Sequence, residues 1–180
     1  MTRYYFYKKE SGVNTEKIKI SNKGFSVSFW ECNVFTPYPQ GLEDYKKYFL
    51  FWWLLKQFHL FKNDDYFVCL LRKNNRVAHY SVVLPPHFRM PFLNNNDLQI
   101  GPVQTFPEFR RNGLAGIALN SIINEYGKVD REFWYITRKN NIPSIKSCEK
   151  AGFFRYAEGH KRKILKSNVL AIYKIDKIFE

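Results

Sequence analysis

The chain has 180 residues, of which 45% are hydrophobic and 25% charged, a composition that excludes disorder and fibrous repeats and suits one domain, 1–180, with a sizeable core. Lys and Arg number 29 against 16 Asp and Glu, a formal net charge of +13 that points to an anionic partner: nucleic acid, a membrane surface or a phosphorylated ligand. The longest apolar run, 48–55, is closed by Lys56 and falls short of the ~20 residues that span a bilayer, and the start lacks a secretory signal, so a cytoplasmic protein is expected. Cys32, Cys69 and Cys148 are few and far apart, which suits a reducing compartment and excludes a disulfide framework or a CxxC metal site; no metal is expected.

In chain order, strand-like runs at 4–7, 17–20 and 25–30 are separated by Gly12 and the turn signal Asn22-Lys23-Gly24. After the Pro37 to Gly41 break, 42–60 carries apolar side chains at near-helical spacing and predicts one helix or two short ones. Segments 66–71 and 77–84 flank Asn74-Asn75, residues that tolerate the left-handed backbone of a hairpin turn. A proline- and asparagine-rich connection, placed to cover a site, leads into a strand at 98–106. A helix at 114–126 stops at Gly127, a strand follows at 133–137, and a helix at 143–150 stops at Gly152. The tail adds strands at 153–156 and 169–175. This α/β order predicts a single mixed sheet with helices on its faces.

The segment from Thr105 to Gly116 carries the chemistry: a strand ends near Pro107, passes through a basic turn and opens a helix. Glycines at 113 and 116 let a ligand approach the backbone, and the first N–H groups of a helix lack intrahelical partners and bear the positive dipole end. Arg110 and Arg111 add two permanent charges, so this cradle fits a diphosphate better than a carboxylate; neither GxxxxGK[ST] nor GxGxxG is present.

Arg110, Gly113 and Ala115 here resemble the signature of the GNAT (GCN5-related) N-acetyltransferases, which have Gln or Arg, then Gly three residues on, then Gly or Ala after one more. Downstream, Asn141, Ser144, Lys150, Gly152 and Phe153 stand at the offsets of a second pattern of that family. The resemblance implies the GNAT fold, a mixed, mostly antiparallel sheet whose splayed central strands hold acetyl-CoA. It implies a pyrophosphate on the backbone of Arg111, Asn112, Gly113, Leu114, Ala115 and Gly116 beside Arg110, and a pantetheine arm along Val103 and Thr105. By the same match Asn141 would bond that arm or position the next helix, and Ser144 would lie near it. Segment 97–153 would then be the acetyl-CoA core, with acceptor-side elements in 1–96 and closing strands in 154–180.

The family position that often holds a proton-donating tyrosine is Cys148, which either takes that role or fills a core gap. Acetyl transfer to an amine needs a base, and His79, His87 and Asp97 are the candidates, His79 foremost. Phe49, Phe51, Trp52, Trp53 and Phe58 lie where the family borders its acceptor pocket. Aromatic faces and surplus positive charge suit a phosphorylated or nucleotide-linked amino sugar, as in surface-polysaccharide synthesis. A peptide or protein amine is the alternative acceptor. A non-catalytic acetyl-CoA or nucleic-acid binding module is the other class, although the basic residues are scattered without an RNP or helix-turn-helix motif. A homodimer is compatible with all of these.

Overall fold

The computed structural model describes residues 2–12, 24–164 and 167–179; the strand expected at 17–20 lies outside them. Strands β1 (Arg3–Glu10) and β2 (Ser26–Glu31) precede a 3₁₀ turn at Glu43–Tyr45 and helix α1 (Lys46–Gln57). Then come β3 (Phe67–Lys73), β4 (Arg76–Leu84), β5 (Leu98–Thr105), a 3₁₀ turn at Pro107–Phe109, α2 (Leu114–Tyr126), β6 (Glu132–Arg138), α3 (Ile142–Lys150), β7 (Phe154–Ile164) and β8 (Ser167–Ile178). All eight strands join one sheet in the order β2-β3-β4-β5-β6-β1-β7-β8. Every pairing is antiparallel except β5 with β6.

Local chemistry accounts for most boundaries. Asn74 and Asn75 both take positive φ, 48° and 63°, the geometry of a two-residue hairpin turn, and set Lys73 opposite Arg76. The expected 42–60 helix is shorter because Tyr45, with φ near −100° and ψ near 9°, leaves helical geometry, and because His59 at φ 53° ends the run. The tail strands are longer than the hydrophobic runs suggest, since β7 and β8 continue pairing through charged residues, His160 with Lys174 and Lys161 with Tyr173.

The first strand is internal to the sheet. In β1, Tyr5 lies opposite Thr137 of β6 on one side and Glu158 of β7 on the other, whereas β2 sits at the far edge against β3. Burial on both faces follows: Phe6 and Tyr7 are both fully enclosed.

Alternation in the strands divides the core between the two faces. Phe67, Cys69 and Leu71 join α2 and α3 through Leu114, Ala118, Leu119, Ile122, Ile145 and Cys148. Val68 and Leu70 instead pack with Phe49, Trp52 and Leu55 of α1, and Phe6 and Trp134 pack with Met90 and Leu93 of the 85–97 connection. Each face therefore has its own cover, and the sheet separates them.

Candidate active site

β5 and β6 pair only from Leu98 opposite Phe133 to Ile100 opposite Tyr135. At Gly101 the backbone takes φ +148°, a region L side chains rarely adopt, and a Cβ there would come within 2.8 Å of Gln99 Nε2. Beyond this residue β5 continues to pair with β4, Val103 opposite Ser81 and Thr105 opposite His79, while its other edge faces a gap. Successive N–H groups alternate between the two edges of a strand, and Phe106 N donates to the Ala78 carbonyl of β4, so the N–H groups of Val103 and Thr105 face the gap and can bond an extended amide chain as an added strand would.

On the α2 and α3 face the gap opens into a cleft of about 890 Å³. Val103, Thr105, Arg110, Arg111, Gly113, Leu114, Ala115, Gly116, Asn141 and Ser144, all expected from the sequence, line it. Gly113 forms the N-terminal cap of α2 at φ +72°, and Ile117 N donates to its carbonyl at 3.2 Å, which leaves the N–H groups of Leu114, Ala115 and Gly116 without intrahelical acceptors. A Cβ placed on Gly113 or Gly116 meets nothing within 4 Å, so the space above these amides is open. With Lys150 also lining the cleft and no carboxylate among its described lining residues, these donors and cations fit a diphosphate. Asn112 does not line the cleft. Its Nδ2 donates to the carbonyls of Phe109 and Arg110 and thereby holds the turn.

On the opposite face lies a second cleft, of about 450 Å³. Tyr48 and Trp52 of α1, Arg89 of the connection, Arg138 of β6, Lys161 of β7 and Tyr173 of β8 border it, and Tyr4 of β1 reaches it too. Residues from all parts of the chain thus build this side, not 1–96 alone. The aromatic run of α1 splits as helical geometry requires: Trp52 is buried, whereas Trp53 turns away and donates Nε1–H to the Asn33 carbonyl at 3.0 Å.

The two clefts share Val103, Tyr135, Asn141 and Ser144, the residues that rim the gap. Asn141 caps α3 by accepting from Ser144 N, its Nδ2 donates to Ser144 Oγ at 3.0 Å, and Tyr135 Oη donates to the same oxygen at 3.2 Å. Burial pushes the Tyr135 hydroxyl up to about 12, so it remains a donor at neutral pH. The sequence reading missed Tyr135 because its side chain reads as an ordinary apolar position of a short strand.

The residues expected to move protons lie elsewhere. His79 is fully buried, with Nδ1 2.7 Å from Thr105 Oγ1 and Nε2 2.8 Å from Ser81 Oγ, and burial lowers its pKa to about 3. It lines neither cleft and cannot reach a bound amine, so the base assignment is corrected; what it does hold is the Thr105 side chain. Cys148 faces the core, donates to the Ile145 carbonyl, and burial beside Glu149 pushes its thiol up to about 12, which corrects the acid assignment in favour of core packing. His87 donates Nδ1–H to the Pro85 carbonyl and packs edge-on against Trp52, and burial lowers it to about 4. Asp97 accepts from the N–H groups of Asn94 and Glu132 and from Trp134 Nε1, so it fastens the connection to β6.

The fold agrees with comparisons to known proteins. The acetyltransferase (GNAT) family model matches residues 27–153, more than half of the sequence, and the chain belongs to that family. Solved structures share the fold at low identity: a GNAT-family protein from Novosphingobium aromaticivorans (12% identity, TM-score 0.57, covering 87% of this chain and 61% of that one). A tandem GNAT protein from the clavulanic acid biosynthesis pathway (13%, 0.57, 87% and 51%) and a GNAT-family acetyltransferase from Colwellia psychrerythraea (10%, 0.56, 88% and 54%) are also similar. The chain thus spans about half to three fifths of the length of these structures. Among curated proteins none matches significantly. No helix among the described residues is long and apolar enough to cross a membrane, and none of these residues form a metal-binding group.

Proposed function

We propose that this protein transfers the acetyl group of acetyl-CoA to a primary amine, with the two substrates approaching from opposite faces of the sheet. The observation that carries this reading is the gap between β5 and β6, where the two clefts share Val103, Tyr135, Asn141 and Ser144. Acetyl-CoA supplies an activated thioester. Arg110, Arg111 and the first amides of α2 would hold its diphosphate, and the free edge of β5 its amide arm. Ser144, whose Oγ accepts from Tyr135 Oη and Asn141 Nδ2, keeps its own hydroxyl proton to donate at the rim, where negative charge would develop during acyl transfer.

No His, Asp or Glu lines either cleft among the described residues. An amine at the gap would therefore give its proton to water, and the cations around the second cleft would favour its neutral form. A small acceptor is the finer reading, and a nucleotide-linked amino sugar suits it, its ring lying against Tyr173. A basic peptide amine fits less well, because the second cleft presents cations rather than carboxylates.

Free-thiol release from acetyl-CoA against amino sugars, polyamines, aminoglycosides and amino-terminal peptides, with an acceptor-free control, tests the reading. Release that depends on one class of amine is expected. Failure of acetyl-CoA to bind in a calorimetric titration would overturn it.

A further inference from the structure

The second cleft carries more positive charge than its surroundings balance. Arg89, Arg138 and Lys161 border it from three separate elements, and none makes an ion pair with a carboxylate among the described residues. Elsewhere the same chain does pair its cations: Arg131 with Asp65, Lys8 with Glu132, and Arg3 with Asp176. Arg89 is held in place, since its Nε donates to the Ala171 carbonyl at 3.2 Å and its own carbonyl accepts from Tyr173 N at 2.9 Å. Its guanidinium stands 5.8 Å from the Trp52 ring and 6.0 Å from the Tyr173 ring, and Lys161 Nζ stands 5.6 Å from the Tyr173 ring. The charges oppose one another: burial, and then Arg89 and Arg138, lower the pKa of Lys161. Like charges gathered in a cleft without counter-ions destabilise the fold, unless a ligand supplies the opposite charge.

We infer that the acceptor amine is borne by a phosphorylated small molecule whose phosphate is held by Arg89, Arg138 and Lys161. This rests on the acetyltransferase reading and adds the chemical class of the acceptor to it. Three cations from three directions match a dianionic phosphate with several oxygens better than one carboxylate, which a single bidentate arginine satisfies. The ring of Tyr173 then flanks the rest of the molecule, and the amine points to the gap rimmed by Tyr135 and Ser144.

The test titrates inorganic phosphate, and separately acetate, into the protein saturated with coenzyme A, so that the diphosphate cleft is filled. Phosphate is expected to bind, and the R138Q/K161Q double variant to bind it about tenfold or more weakly, the effect of losing charge-assisted hydrogen bonds. Neither residue makes a side-chain hydrogen bond within the described structure, and circular dichroism verifies that the variant folds. No phosphate binding, equal binding in the double variant, or acetate binding as tightly as phosphate would each overturn the inference. In a second arm, glucosamine 6-phosphate and phosphoethanolamine are compared with glucosamine and ethanolamine in thiol release. Acetylation of the unphosphorylated partners at equal kcat/KM also overturns it. Acetyl-CoA affinity is measured on the same proteins: loss in the parent protein indicts the acetyltransferase reading, whereas unchanged affinity with no phosphate effect indicts only the phosphate site.

Discussion

The two clefts are both basic and meet at the same four residues, yet they are constructed differently. The α2-side cleft takes most of its lining from one continuous stretch, Val103 to Asn120, in which strand, turn and helix follow one another. It offers a ligand mainly backbone: helix amides, a free strand edge and a glycine in left-handed geometry. The opposite cleft has a floor of β5 and β6 residues, but its cations and aromatic rings come singly or in pairs from α1, the 85–97 connection, β1, β6, β7 and β8, brought together by the order β6-β1-β7-β8. It recognises through side chains. A backbone cradle suits a substrate common to a family, whereas a cleft of separate side chains can change its specificity by single substitutions without disturbing the turn on the far face.

The largest expected effect breaks the first cleft alone. In the R110E/G113V double variant, a β-branched residue at φ +72° costs about 1–2 kcal/mol of backbone strain, and a charge reversal faces the diphosphate. Acetyl-CoA affinity by calorimetry should fall about 100-fold or more, two charge-assisted contacts being lost, while the opposite cleft keeps its phosphate binding. Unchanged affinity would remove the cofactor assignment.

A second substitution pair sharpens the contrast at the rim. Y135F should lower kcat about tenfold with little change in either KM, as expected when the hydroxyl that orients Ser144 as a donor to developing charge is lost. C148A should leave kcat unchanged and cost about 1 kcal/mol of stability, the effect of a small packing loss. A loss of kcat in C148A comparable with that in Y135F would restore the thiol to the chemistry.

The smallest effect compares the supports behind each cleft, His79 bonded to Thr105 and His87 against Trp52. Both imidazoles are buried and neutral, with folded pKa values of about 3 and about 4 against an ordinary 6.5. Below pH 6.5 the unfolded chain takes up protons that the folded chain does not, so stability present above that pH is lost as pH falls. Each histidine should contribute about 1.4 kcal/mol per pH unit between pH 6.5 and its folded pKa. Urea unfolding from pH 7 to 5 measures the slope. H79Q and H87Q should each remove about half of it, and a flat profile in the parent protein would show that both side chains reach solvent.

How much of this could be read from the sequence follows the same division. The turn at Arg110 to Gly116 was legible because its meaning is local: glycine spacing, adjacent arginines and the helix that follows all act within one stretch. The hairpin was legible for the same reason, through Asn74 and Asn75. Arg138, Lys161 and Tyr173 carried no signal, because each is unremarkable in its own strand and becomes part of a site only through strand order. The base assignment to His79 failed on a physical point. His79 lies opposite Thr105 of β5, but its side chain is buried on the α2 side of β4 with both ring nitrogens already engaged.

The position of β1 has a consequence for how the chain acquires its shape. β1 is made well before β6 and β7, and both its edges are unpaired until those strands are available. Assembly of this half of the sheet is therefore governed by contacts distant in sequence, which close slowly, and the waiting strand could template unwanted pairing. Arg3, Lys8, Lys9 and Glu10 charge its ends, as sequences do when an apolar strand must remain apart from its neighbours before its partners arrive.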